Sequence, residues 1–233
     1  MNIVGMSKIG LVRQRNEDRF YIEGNFAIVT DGMGGYKGGE IASTMVVDSL
    51  ASQLRQCEEP TVEQLKEYIN KANEDVFNRV KETPALEGMG TTVVVAYIYN
   101  NTLYWANVGD SRLYVCSDNK LKQISTDHSM VQALYEAGEL EKQDMINHPQ
   151  RNLLTRAVGV EPTVEVDGGI YELAPSDRIM LCSDGLTGYI STERIEAEFN
   201  HEPDDKRLLE DLMSLVYDEG AKDNVTIVVG TME

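Results

Sequence analysis

Apolar and β-branched residues gather in short runs at 27–30, 92–99, 102–107, 112–116, 178–182 and 225–229. Polar or turn-forming residues bound each run, which is the pattern of strands. Asn100-Asn101 separates two of the runs, and Asn tolerates left-handed dihedrals, so a hairpin turn is predicted there. Asp118-Asn119 predicts a second turn, between 112–116 and 121–124. Strands joined by such tight turns pair antiparallel.

The period changes between these runs. Ala42, Met45, Val46 and Leu50 recur at three- and four-residue spacing after Gly38-Gly39. Thr61-Val-Glu-Gln64 has the form of a capping box, and Leu65, Ile69, Ala72, Val76 and Val80 follow on one helical face. Leu208, Leu212, Leu215 and Val216 mark a third helix. Strands and helices do not alternate regularly, as a parallel doubly wound sheet would require. The order suits an α+β fold in which helices cover the outer faces of antiparallel sheets. The stretch at about 127–159 is longer than an ordinary connection and is read as a lid or binding loop.

Composition narrows the setting. At 233 residues, with 42% hydrophobic residues, the chain can bury a substantial core, and no linker divides it, so one domain is expected. The net charge of −18 disfavours nucleic acid and anionic membranes as partners. The acidic stretches 193–198 and 202–205 read as solvated surface. Cys57, Cys116 and Cys182 are odd in number and lack C-x-x-C spacing, which suits a reducing cytoplasm rather than a disulfide scaffold. No apolar stretch approaches the ~20 residues of a membrane span. The start, Met1-Asn-Ile-Val-Gly-Met, has no signal-peptide pattern. A monomer is expected.

The chemistry lies in five aspartates: Asp18 in Arg13-Gln-Arg-Asn-Glu-Asp18, Asp31 in Asp31-Gly-Met-Gly-Gly35, Asp110 in Gly109-Asp-Ser-Arg112, Asp184 in Ser183-Asp-Gly185, and Asp223 in Asp223-Asn224. Asp31 and Asp184 follow apolar runs, where a carboxylate is held firmly as a strand gives way to a loop. Five such groups suit a hard, oxygen-lined site for Mg²⁺ or Mn²⁺. Each motif alone is weak, since an Asp-Gly dipeptide is usually a turn. The glycines at 32–39 match neither common nucleotide-loop spacing, because Lys37 stands where a third glycine is needed. Two other readings are a serine esterase built on Gly109-Asp-Ser111 and a metal-binding module without activity. The esterase lacks an Asp-x-x-His partner, and the module would be expected to have lost some of the acids.

Taken in order, Arg-x-x-Asn-Glu-Asp, Asp-Gly-Met-Gly-Gly, Gly-Thr-Thr at 90–92, Val-Gly-Asp-Ser-Arg, Ser-Asp-Gly-Leu and Asp-Asn resemble the metal-dependent protein phosphatases. This is the PPM family, or type 2C serine/threonine phosphatases. The resemblance spans about residues 3–229, and Thr126-Asp-His-Ser129 with 148–156 is similar to its bacterial branch. It implies a four-layer sandwich of two antiparallel β-sheets flanked by α-helices, with a metal cleft at one end and a flap at about 127–159. It further implies hydrolysis of phosphoserine and phosphothreonine by a water or hydroxide bridging two Mn²⁺ or Mg²⁺ ions, in opposition to a bacterial Ser/Thr kinase. Phosphorylated proteins are then its partners.

By the same resemblance Asp31 bridges both metals and Gly32 lends a backbone carbonyl to one, while Asp184 and Asp223 ligate the other. Glu17 and Asp18 act mainly through metal-bound waters, with Asp18 in the inner circle. Asp110 and Asp184 would form a third, weaker site. Arg13 offers a planar fork to two phosphate oxygens. Many relatives carry a histidine just after the paired glycines or two residues after the bridging aspartate; here Tyr36 and Met33 stand there. Met cannot donate a proton, so a metal-bound water is the expected acid and Tyr36 a possible donor. His128 and His148 lack metal-ligand spacing, and the plainer reading of His128 is a neighbour of a helix cap. Arg151 and Arg156 fit substrate contact or surface equally.

Overall fold

The computed structural model describes residues 2–35 and 37–232. Two antiparallel sheets stack face to face. One contains β1 (Asn2–Lys8), β11 (Val225–Thr231), β10 (Arg178–Cys182), β7 (Arg112–Ser117) and β8 (Lys120–Gln123), in that order. The other runs β2 (Asp18–Glu23), β3 (Phe26–Met33), β5 (Val93–Tyr99), β6 (Thr102–Val108) and β9 (Asp167–Glu172), and the short β4 (Gly90–Thr91) pairs with the end of β3. The fold is the expected helix-flanked sandwich of two antiparallel sheets.

Three apolar layers hold it together. Val29, Val94, Leu103, Leu113, Leu181 and Val228 fill the space between the sheets. Outside the second sheet lie α1 (Gly38–Leu54) and α2 (Val62–Glu82), burying Val46, Leu50, Leu65, Ile69 and Val76 against it. Outside the first sheet lie α4 (Asp184–Thr187), α5 (Thr192–His201) and α6 (Asp205–Asp218), burying Leu186, Phe199, Leu208, Leu212 and Val216. α3 (Met130–Glu136) belongs to the segment between β8 and β9. Each fully buried aliphatic side chain contributes about 1.5–3 kcal/mol.

Local chemistry sets the element ends. Thr61 accepts a hydrogen bond from the Gln64 amide while the Gln64 side chain accepts one from the Thr61 amide, the reciprocal cap predicted for α2. Asn100, Asn101, Asp118 and Asn119 all adopt positive φ, as the two hairpin turns require.

Several expectations change. β1, β2 and β9 were not legible, and each is an edge strand with a half-exposed burial pattern, so its apolar signal is diluted. The acidic run 193–198 is not simply solvated surface: it lies in α5, which buries Ile195 and Phe199 one turn apart. Asp31 does not lie where a strand gives way to a loop. β3 continues through it to Met33, because β4 pairs with Gly32 and Met33.

Candidate metal centre and active site

Antiparallel pairing explains why acids far apart in sequence meet. Asp184 follows the end of β10, and Asp223 precedes the start of its neighbour β11, so both lie at one end of the first sheet. Asp18 opens β2 opposite Asp31 near the end of β3, and Asp110 lies in the crossing from β6 to β7. A cavity of about 740 Å³ opens there, lined by Arg13, Glu17, Asp31, Gly32, Asp110, Asp184 and Asp223. Its opposite wall is the segment 152–165, including Leu153, Arg156, Val160 and Glu161. A smaller cavity of about 90 Å³ reaches Asp110 and Asp184 from the side of Asp127 and Arg151.

Each acid has its own support. Asp18 is buried, and one of its oxygens accepts hydrogen bonds from the Ser183 and Thr226 hydroxyls, both at 2.7 Å. The Asp31 backbone is gripped by the Gly-Thr-Thr segment. Its amide donates to Thr92 Oγ1 at 3.0 Å, and its carbonyl accepts from the Thr92 amide and the Thr91 hydroxyl, both at 2.8 Å. Gly32 faces Gly39 at the start of α1 so closely that a Cβ would lie 2.1 Å from the Gly39 carbonyl oxygen. Gly185 similarly admits the Asn224 carbonyl, which keeps Asp184 beside Asp223.

In the sequence Asn224 stands out only as half of the Asp-Asn pair, yet it organises one side of the cleft. Its side-chain oxygen accepts from the Glu17 amide at 2.8 Å, and its amide group donates to the carbonyls of Ile9 at 3.0 Å and Arg15 at 2.8 Å. Ser183 and Thr226 were also missed as partners of Asp18. The available signal was a hydroxyl residue beside Asp184 and another inside the apolar run 225–229. Arg13 is half-exposed at the rim and donates to Asp223 at 2.7 Å. Tyr36 lies outside the described residues.

The electrostatics are those of crowded like charges. Burial, then the neighbouring acids, push Asp31 and Asp110 well above the usual carboxylate range. Burial, against the pull of Thr226 and Ser183, moves Asp18 up to about 7. Asp184 is raised by burial and by Asp223. Glu17 is raised, chiefly by burial. The interaction between Asp31 and Asp184 adds to the rise at Asp31 and offsets part of the rise at Asp184.

Among the described residues, no three acids form a finished coordination shell around one point. Asp31, Asp110, Asp184 and Asp223 line one cleft with Asp18 buried beside Asp31, and the donor set fits hard cations on two counts. Every ligand offered is an oxygen, and among the described residues no hydrogen bond reaches the buried Asp18 Oδ1. An uncompensated carboxylate oxygen of this kind is costly unless a cation or donor meets it.

The model of the family described as protein phosphatase 2C matches residues 6–134. The chain belongs to the protein phosphatase 2C family. A serine/threonine phosphatase stp from Listeria welshimeri is 34% identical over 230 residues, covering 94% of this chain and 91% of that one. The crystal structure of the Mycobacterium tuberculosis serine/threonine phosphatase PstP/Ppp superposes with a TM-score of 0.94 at 35% identity, over 100% of this chain and 98% of that one. The catalytic domain of a PstP in complex with two manganese ions gives a TM-score of 0.89 at 32% identity, over 100% and 98%. The family's sheet sandwich is therefore shared along the whole chain, including the segment beyond residue 134.

Proposed function

We propose that this protein phosphatase 2C member is a metal-dependent serine/threonine protein phosphatase. The observation that carries the reading is the convergence of Asp31, Asp110, Asp184 and Asp223 with Arg13 on one cleft, with Asp18 buried across the strand pair from Asp31. Asp31 and the Gly32 carbonyl would hold one ion and share Asp31 with a second held by Asp184 and Asp223. Asp18 and Glu17 would support them, and Asp110 with Asp184 would take a third, weaker ion. Mn²⁺ or Mg²⁺ bound there supplies an activated water and offsets the charge of a phosphate dianion.

The chain's own residues do the rest. Arg13, at the rim, offers two parallel N–H groups to the phosphate. Water adds to phosphorus and gives up a proton, the bond from phosphorus to the seryl or threonyl oxygen breaks, and that oxygen gains one in return, so the products are the free hydroxyl and inorganic phosphate. Met33, within the cleft lining, has no proton to give. Asp18 and Asp31 stay oriented through the hydroxyls and amides of Ser183, Thr226 and Thr92.

The reading extends to one phosphatase domain with 127–159 as its flap, working as a cytoplasmic monomer that opposes a Ser/Thr kinase. Three buried free cysteines support the reducing setting, and no helix among the described residues is long and apolar enough to cross a membrane. The deciding experiment is hydrolysis of a phosphothreonine peptide with Mn²⁺ or Mg²⁺, then with chelator, for wild type and Asp184→Ala. Activity that needs metal and is lost in the variant is expected. Chelator-insensitive ester cleavage would instead favour an esterase, and metal binding without turnover a signalling module.

A further inference from the structure

His128, at the start of the 127–159 flap, is buried beside the turn that carries Asp110, and each of its polar atoms has a partner. Its backbone amide donates to the Gly109 carbonyl at 2.9 Å, and its ring Nδ1 accepts from the Gly109 amide at 3.1 Å. Its carbonyl accepts from the Thr155 amide at 2.9 Å. Its Nε2 lies 3.2 Å from Asp167 Oδ2, and Arg156 donates to the other oxygen of Asp167 at 2.9 Å. An Nδ1 that accepts leaves the proton on Nε2, which then donates to Asp167. Arg156 also comes within 3.2 Å of Nε2, as two donors sharing one carboxylate do.

Capping does not explain this arrangement. Ser129, not His128, caps α3. Gly109 also has little freedom of its own: its φ is +101°, and a Cβ there would lie 2.6 Å from Thr92. The residue after it is Asp110. The next, Ser111, exchanges a 2.7 Å hydrogen bond with Thr92, whose hydroxyl oxygen holds the Asp31 amide. One connected path thus runs from the flap, through the ring of His128 and the Gly109 peptide, to Asp110 and Asp31.

We propose that His128 is a positioning residue: its Nδ1 fixes the Gly109 peptide that aims Asp110 into the cleft, and its carbonyl and Nε2–H tie the flap at Thr155-Arg156 and β9 at Asp167 to that same turn. This rests on the phosphatase reading, because its consequence for turnover presumes that the cleft is the reaction site. The hold on Gly109 is a property of the folded chain and can be measured without any reaction.

Two substitutions separate the halves of the ring. His128→Asn keeps an acceptor near the place of Nδ1 but cannot reach Asp167. His128→Gln keeps a donor near Nε2 but leaves the Gly109 amide without its acceptor. Hydrogen exchange at the Gly109 amide is read on both proteins and wild type without metal, and kcat and KM for a phosphothreonine peptide are read with Mn²⁺. His128→Gln is expected to speed Gly109 exchange about tenfold or more and to lower kcat by about 10–100-fold, the usual cost of losing an outer-shell partner. His128→Asn is expected to retain Gly109 protection and recover most of that kcat. Equal exchange in both variants, or kcat per folded molecule unaffected by His128→Gln, overturns the assignment. If His128→Gln does not fold, His128→Asn decides alone: retained protection with most of the turnover supports the assignment, and loss of either overturns it. A wild type with protected Gly109 but no metal-dependent turnover would refute the phosphatase reading while leaving the hold on Gly109 standing.

Discussion

Asp18 and Asp31 stand directly opposite one another across β2 and β3, two carboxylates in register on neighbouring strands. Like charges so placed destabilise a sheet. Of the two, only Asp18 is relieved by hydroxyl donors among the described residues, Ser183 and Thr226. The fold accepts the cost at the point where a cation would cancel it.

A carboxyl whose folded pKa is raised holds its proton longer folded than unfolded, so the unfolded chain binds fewer protons and stability falls as pH rises. For Asp18 the contribution is complete below its ordinary value of 3.8 and is lost as pH climbs through about 7. Asp31, Asp110 and Asp184 act in the same direction. Metal-free protein should therefore lose thermal stability from mildly acidic to mildly alkaline pH, and Mn²⁺ should raise Tm most at the alkaline end. Asp31→Asn should melt higher than wild type without metal, by roughly 2–4 °C for each ~1 kcal/mol relieved. Calorimetric melting across that range, with and without Mn²⁺, checks this. A metal-free Tm that rises with pH, or an Asp31→Asn protein that melts lower, would refute it.

Thr226 tests how Asp18 is oriented. Thr226→Val keeps the shape of the side chain in β11 and removes a 2.7 Å hydrogen bond to a buried carboxylate. Such bonds contribute about 1.5–3 kcal/mol, and loss of an outer-shell partner commonly weakens metal binding by about 10–100-fold. Titration calorimetry with Mn²⁺ should show a loss in that range. Unchanged affinity would mean that Ser183 alone suffices to orient Asp18.

The site was more legible in the sequence than its supports were. Asp31, Asp110, Asp184 and Asp223 could be named because their short motifs, weak singly, follow one another in the order that resembles the family, and antiparallel pairing brings them to one end of the sandwich. Asn224, Ser183, Thr226 and Thr92 act through the third dimension. Asn224 reaches residues more than two hundred positions away, and nothing in its neighbourhood predicts partners at Ile9, Arg15 and Glu17. The central strands were visible for the same reason that the edges β1, β2 and β9 were not. A strand buried on both faces is a continuous apolar run, and an edge strand is half solvated.

Arg13 should matter to catalysis and hardly to folding. Its pairing with Asp223 is half-exposed, and exposed pairs contribute about 0–1 kcal/mol. Charge-assisted bonds to a phosphate contribute about 1.5–3 kcal/mol, or roughly 10–100-fold in kcat/KM. Arg13→Ala should thus lower kcat/KM for a phosphothreonine peptide by that factor with Tm nearly unchanged. Arg13→Lys should recover only part, because an ammonium cannot fork across two oxygens. Steady-state kinetics beside thermal melts separate the two effects, and a large fall in Tm with kcat/KM intact would reverse the assignment.

Two glycines near the cleft should respond in opposite ways to one methyl group. Gly185 carries Asp184 on its N-terminal side, and a Cβ there would lie 1.8 Å from the Asn224 carbonyl oxygen, so α4 would have to withdraw from the start of β11. Overpacking of this kind costs about 1–3 kcal/mol, and here it would also separate Asp184 from Asp223. Gly35 has nothing within 4 Å of the equivalent position. Gly185→Ala should therefore lower both stability and Mn²⁺ affinity, while Gly35→Ala should leave stability within about 0.5 kcal/mol, as surface substitutions do. Denaturant unfolding and metal titration of the two proteins provide the comparison. Equal tolerance at both positions would show that contact between α4 and Asn224 does not set the spacing of the two acids.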